Sequence, residues 1–127
     1  PDSCDEHVHD VRLQAKKLRY LLELFGPLYD EARVKPLTGR LKKMQNVLGT
    51  FNDLAVQQDF LGGYVSKRVK AESNASDMLL AVGALLGILH HRQRIVREKL
   101  GKHFDAFVDP QTKFMVADLT EERSLAA

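Results

Sequence analysis

Apolar residues recur every three or four positions along three long segments of this chain. The first segment runs from Val11 to Phe25, the second from Leu37 to Ala55 and the third from Val82 to Phe107. This spacing is the period of an α-helix that turns one face to a core, whereas a half-buried β-strand would alternate every second residue. The pattern therefore predicts an all-α fold, an antiparallel helical bundle of three long helices and a short C-terminal element.

Proline, glycine and short polar residues mark where these helices should end. The stretch 25–36 contains a Gly-Pro pair that should end the first helix, and Pro36 suits the start of the second. The polar stretch 71–76 supplies serines that can cap a third helix, which we expect to end at 108–110. At 127 residues the chain fits one helical domain, with 109–127 as a short, loosely attached tail.

Composition narrows the class of protein. No apolar run approaches the ~18 residues that a membrane-spanning helix needs. A single cysteine cannot form an internal disulfide, and no basic start followed by an apolar stretch reads as a signal peptide, so we expect a cytoplasmic protein. The chain has no paired-carboxylate motif, nucleophile motif or phosphate-binding glycine loop. We therefore predict that it is not an enzyme and needs no cofactor.

The formal net charge is only +2, but the basic residues are clustered. At about 100° per residue, four basic side chains of the first helix fall on one stripe. They are His9, Arg12, Lys16 and Arg19. The stripe is ~15 Å long, and the leucines at 13, 21 and 24 place apolar surface beside it. Like charges at this spacing repel, and no row of glutamates offsets them, which favours an anionic ligand.

Two further groups of basic residues follow. His90, Arg94 and Arg97 share a stripe of the third helix, and the second helix contributes Lys42 and Lys43. Taken singly, such residues are usually solvated and lay their aliphatic stems along the edge of the core. The arrangement of these basic side chains in rows along the helices is what indicates an anionic ligand.

The first two helices also carry a pair of sequence motifs, VHDVRLQAKKLRYLLE at 8–23 and LKKMQNVLGTFND at 41–53. The pair resembles LHxxRxxxKRLRYxxE and LKxLQxxLGxxxD, the pattern of the CHAD family, the conserved histidine α-helical domain. The mild departures are Val8, Lys17 and Met44. The third helix resembles the next helix of the family more loosely, so that the resemblance covers about residues 6–108.

The resemblance implies a domain of two similar helical halves whose basic helices face a groove that binds inorganic polyphosphate. The motifs resemble the C-terminal half, so this chain would be half of a pseudo-symmetric two-bundle CHAD domain, completed by a missing N-terminal half or by a second copy of the chain. Carried over by motif, the polyphosphate ligands are His9, Arg12, Lys16, Arg19 and Lys42. Helical spacing adds Lys43, His90, Arg94 and Arg97. Together with the absence of catalytic motifs, these residues predict a non-catalytic polyphosphate-binding module, which we expect in the cytoplasm in association with polyphosphate granules.

Three other interpretations rest on the same residues. A histidine phosphotransfer domain is also a helical bundle, and Arg12 stands three positions after His9, but Leu13 occupies a place where a small glycine would be expected. A protein that binds the phosphate backbone of nucleic acid would use similar contacts, although the chain has no tryptophan and no recognition-helix motif. Cys4, His7 and His9 lack the paired spacing of structural zinc ligands, so we predict no metal site.

Overall fold

The computed structural model describes the backbone of residues 2–70 and 76–125 and the side chains of residues 7–70 and 76–121. Helix α1 spans Asp2–Phe25, a short 3-10 helix spans Gly26–Leu28, and α2 spans Glu31–Val69. Helix α3 spans Ser76–Phe107 and α4 spans Pro110–Leu125. The described part of the chain contains no strand, and the predicted all-α helical bundle is confirmed.

The second helix begins earlier than the sequence indicated. Asp30 starts it: its carbonyl oxygen accepts hydrogen bonds from the backbone N–H groups of Arg33 and Val34, at 3.0 and 3.2 Å. Its side-chain Oδ1 accepts a third bond from the N–H of Ala32 at 3.0 Å. An aspartate here satisfies donors that the first turn of a helix leaves open. The predicted start at Pro36 is therefore wrong, and Pro36 lies inside α2, in its second turn.

The other two breaks follow the polar and proline signals. Helix α3 ends at Phe107, which confirms the break at 108–110. It begins at Ser76, one of the serines proposed to cap it. Residues 71–75, the rest of the polar stretch, lie outside the described residues.

The chain divides into two compact units. Unit 1 contains residues 1–49 and 99–127, and unit 2 contains residues 50–98, so that α2 and α3 each contribute to both. The largest buried cluster of unit 1 joins α1 to α2 and consists of Ala15, Leu41, Met44 and Leu48. These are the residues whose helical spacing predicted a core. The single-domain description of 1–127 stays a prediction.

Unit 2 buries few of its large apolar side chains. Phe51, Leu54 and Leu89 are buried, whereas Phe60 and Leu80 remain 70% and 74% exposed. Large apolar side chains are therefore left on the surface of this unit.

The segment after residue 109 is not the loosely attached tail that we expected. It forms α4, and Leu119 packs in one buried cluster with Val34 and Leu37 of α2. Thr112 is also buried, with 3% of its surface exposed. This packing depends on α2, which is distant in the chain. The sequence pattern of residues 110–125 alone therefore did not predict that this segment would pack against α2.

Arg40 of α2 holds the connection between α3 and α4. Its Nη1 donates hydrogen bonds to Asp109 Oδ1 at 3.0 Å and to the Thr112 hydroxyl at 2.6 Å. The same nitrogen donates to the Ala106 carbonyl at 3.3 Å, and Nη2 donates to Gln111 Oε1 at 2.6 Å. Although Arg40 borders the lysines at 42 and 43, its guanidinium is engaged within the protein.

Asp109 also begins α4. Its Oδ1 accepts the backbone N–H of Thr112 at 2.7 Å. That bond is the largest cause that lowers the pKa of the Asp109 carboxyl below its ordinary value, and the Thr112 hydroxyl and Arg40 act in the same direction.

Candidate anion-binding site

The four basic residues predicted to share a stripe lie on α1, within unit 1. His9 and Lys16 are exposed, and Arg12 and Arg19 are partly buried. The stripe is therefore neither fully solvated nor part of the core, and it is bordered by the apolar residues that α1 turns toward α2. This intermediate position lowers the local dielectric around the cations while leaving them accessible to a ligand.

Charge balance along the stripe is uneven. Glu23 Oε1 lies 3.6 Å from Arg19 Nε, one helical turn away, so one cation has an acidic neighbour. Among the described side chains, no carboxylate lies within ion-pair distance of His9, Arg12 or Lys16. Glu23 stands four positions after Arg19, which is the usual spacing of such a pair, and the predicted stripe did not include it.

Tyr20 lies beside two members of the stripe. The Lys16 Nζ is 5.8 Å from the centre of the Tyr20 ring, and the Arg19 Cζ is 5.4 Å from it. Both distances are within the range in which a cation is attracted to an aromatic ring. Arg19 Nε is buried and has no hydrogen-bond acceptor within the described part of the chain, so the ion pair with Glu23 is its polar contact.

The two lysines of α2 are exposed and also lie in unit 1. Lys42 lines a surface cavity of about 550 Å³, together with Lys35 and two carboxylates, Glu23 and Glu31. The cavity is therefore of mixed charge rather than basic throughout. Lys43 follows directly on the helix, about 100° around its axis.

The third basic group lies on α3, within unit 2. His90, Arg94 and Arg97 line one depression of about 450 Å³. The Arg97 guanidinium lies 5.3 Å from the centre of the buried Phe51 ring. Glu98 lines the same depression and weakens its positive field, a placement that the count of charges along the sequence did not reveal.

The apolar flank of the α1 stripe is exposed, as expected. Leu13, Leu21 and Leu24 expose 39%, 52% and 71% of their surface. Leu21 also lines a groove of about 540 Å³, whose other walls include Leu28 and, from α4, Val116. The sequence could not place this groove because one of its walls belongs to a helix that is remote in the chain.

The described residues contain neither a candidate metal centre nor a candidate membrane-spanning helix. In that part of the chain, no three His, Cys, Asp or Glu side chains come close enough together to hold a metal ion. Cys4 falls outside the side chains that the structure describes. None of the helices, searched over the described residues, has the length and apolar character to cross a membrane.

Comparison with protein families agrees with the motif pair. The family model of the CHAD domain matches residues 1–62, which include α1 and most of α2. The match is narrower than the 6–108 of the sequence resemblance, and α3 with its basic group lies beyond it. No curated protein and no solved structure matches the chain.

Proposed function

We propose that the chain, whose residues 1–62 match the family model of the CHAD domain, is a non-catalytic module that binds inorganic polyphosphate. The observation that carries the proposal is the stripe on α1. Four basic side chains follow one face of a helix, and three of them, His9, Arg12 and Lys16, have no carboxylate within ion-pair distance among the described side chains. A row of like charges of this kind is stabilised when an anion runs along it.

The chemistry of the stripe suits a flexible polyanion. Inorganic polyphosphate repeats one charged unit and has no sequence to read, so that binding it needs many charge-assisted hydrogen bonds and little shape recognition. A guanidinium can contact two phosphate oxygens at once, and an ammonium acts as a point charge. Histidine gains charge as the pH falls. A stripe of ~15 Å would contact several successive phosphates.

The remaining predicted ligands extend the same proposal. Lys42 and Lys43 would contact the polymer from α2. His90, Arg94 and Arg97 would form a second cluster of contacts on α3, in a depression whose positive field is reduced by Glu98. We place the module in the cytoplasm, where it would associate with polyphosphate granules.

Titration at two salt concentrations tests the function. We expect long polyphosphate to bind more tightly than short polyphosphate or a random DNA duplex, and its affinity to fall steeply with salt because each neutralised phosphate releases counterions. For a single-stranded polyanion, the slope of log K against log salt changes by about −0.7 for each phosphate that is neutralised. Four contacts therefore give a slope of about −3, and nine give about −6. The slope therefore reports whether the α1 stripe acts alone or together with the other groups.

Two results of the same titration would overturn this function. Duplex DNA that binds as tightly as polyphosphate at both salt concentrations would identify a binder of nucleic-acid backbone. A chain that binds neither polymer, while His9 accepts a phosphoryl group from a phosphorylated receiver domain, would identify a histidine phosphotransfer domain.

Association is the second expected property. We propose that the exposed leucines beside the stripe contact either a second copy of the chain or a separate N-terminal half-domain, so that two basic stripes line a shared groove. Light scattering at micromolar concentration should show a dimer that polyphosphate tightens, because the polymer relieves the repulsion between the stripes. Leu21→Glu with Leu24→Glu should remove the dimer, whereas Phe114→Glu, at an equally exposed position of α4, should not. A compact monomer in both conditions that still binds the polymer would contradict the shared groove.

A further inference from the structure

The Tyr20 ring lies close to two cations of the proposed site, Lys16 and Arg19. Lys16 precedes it by one helical turn and Arg19 is its neighbour in the chain, and both charged groups lie within 6 Å of the ring centre, at 5.8 and 5.4 Å. About half of the Tyr20 surface is exposed, at 51%, so the ring is not held in place for the sake of the core. The ring thus contacts both cations from a half-exposed position.

An aromatic ring offsets the repulsion between these cations. Lys16 and Arg19 are three positions apart, which brings like charges together on one face of the helix. The electron-rich face of a tyrosine ring attracts both. Long basic side chains otherwise sample many rotamers, and an anion that binds them must restrict this freedom. A ring that already restricts both side chains lowers that cost.

Glu23 completes the arrangement around Arg19. Its carboxylate approaches Nε at 3.6 Å, and among the described side chains no acceptor is bonded to the two terminal nitrogens of the guanidinium. Those nitrogens are the pair that forms two parallel hydrogen bonds with a phosphate. Glu23 therefore orients the Arg19 guanidinium from its Nε side, and the two terminal nitrogens remain available to a phosphate.

We propose that Tyr20 is a positioning residue of the anion site: its ring holds the Lys16 ammonium and the Arg19 guanidinium as a preformed pair that binds adjacent phosphates. The inference rests on the proposed function. It assigns the effect to the aromatic ring rather than to the hydroxyl, and it predicts that the ring contributes affinity without adding a phosphate contact of its own.

A series of substitutions at Tyr20 tests the inference, with long polyphosphate as the probe and the full chain as the protein. Tyr20→Leu should weaken binding about three- to tenfold, because two exposed cation–π contacts are lost. Tyr20→Phe should bind within about twofold of the parent chain, and Tyr20→Trp at least as tightly, since tryptophan is the strongest partner for a cation. The salt dependence should have the same slope in all four proteins, because the phosphates contacted do not change.

Tyr64 provides the matched control. Its ring lies 5.6 Å from the Arg68 guanidinium and is 41% exposed. Neither residue is a proposed ligand, and neither lines the depression on α3. Tyr64→Leu should leave polyphosphate affinity unchanged. Equal affinity of the Tyr20→Leu chain, a loss in Tyr20→Phe as large as in Tyr20→Leu, or an equal loss in Tyr64→Leu would each overturn the inference. A parent chain that does not bind polyphosphate would instead refute the proposed function.

Discussion

Replacing Arg12 and Arg19 together by alanine is expected to weaken polyphosphate binding by about 2–5 kcal/mol, since a hydrogen bond to a charged group contributes ~1.5–3 kcal/mol. Both side chains are partly buried on one face of α1, where a phosphate contact is screened less than at a fully exposed position. Isothermal titration of each protein with long polyphosphate measures the change. Far-UV circular dichroism should show unchanged helicity, because neither side chain belongs to either buried cluster of unit 1.

The control is a double variant with the same loss of charge. Lys102→Ala with Lys113→Ala removes two exposed cations of unit 1 that lie on α3 and α4 and are not among the proposed ligands. This variant should lose only the weak, non-specific attraction of a less basic surface. If both double variants lose affinity equally, binding depends on net charge and the stripe is not the site. Unchanged affinity in the Arg12 and Arg19 variant would exclude these two residues as ligands.

Arg40→Ala is expected to lower the free energy of unfolding by about 2–4 kcal/mol, because it removes charge-assisted hydrogen bonds, among them the donor to the oxygen of the buried Thr112 hydroxyl. The guanidinium donates to Asp109, Thr112 and Gln111, which together join α4 to α2. Urea unfolding followed by circular dichroism measures the loss.

Arg33→Ala is the matched control, since Arg33 also reaches from α2 to α4. Its Nη1 lies 3.4 Å from Asp118 Oδ2, and both side chains of this ion pair are more than a third exposed. A surface ion pair of this kind contributes at most about 1 kcal/mol. Equal destabilisation by the two variants would mean that α4 is not specially held by the network around Arg40.

The stability lost in Arg40→Ala should become smaller as the pH falls. The pKa of Asp109 is lowered in the folded protein, so its ionised form favours folding at neutral pH. That contribution is present above the ordinary carboxyl pKa of about 4 and is lost as the pH falls through the lowered pKa of the folded state. The difference in stability between the parent chain and Arg40→Ala should therefore shrink in acid, but only by a small part, because Arg40 lowers the pKa of Asp109 less than the Thr112 N–H does and that bond remains in the variant. A difference that stays constant from pH 7 to pH 3 would contradict the coupling.

Features that depend on residues close together in the chain were accessible from the sequence. The period of the apolar residues predicted three long helices and the buried residues at 15, 41, 44 and 48. The Gly-Pro pair and the residues before Pro110 predicted the ends of α1 and α3. The basic stripe of α1 follows from helical geometry alone. Even the ion pair between Arg19 and Glu23, which we missed, could have been found from its spacing of four.

Features that depend on distant segments were decided only by the tertiary structure. Helix α4 has its buried partners on α2, and Arg40, a cation near the predicted ligands, proved to be engaged by Asp109 and Thr112. The groove beside Leu21 needs a wall from α4. Helical spacing places a side chain on a face of its own helix, but it does not specify which other helix that face will meet. Packing between elements therefore determined which cations are used inside the protein and which remain open to a ligand.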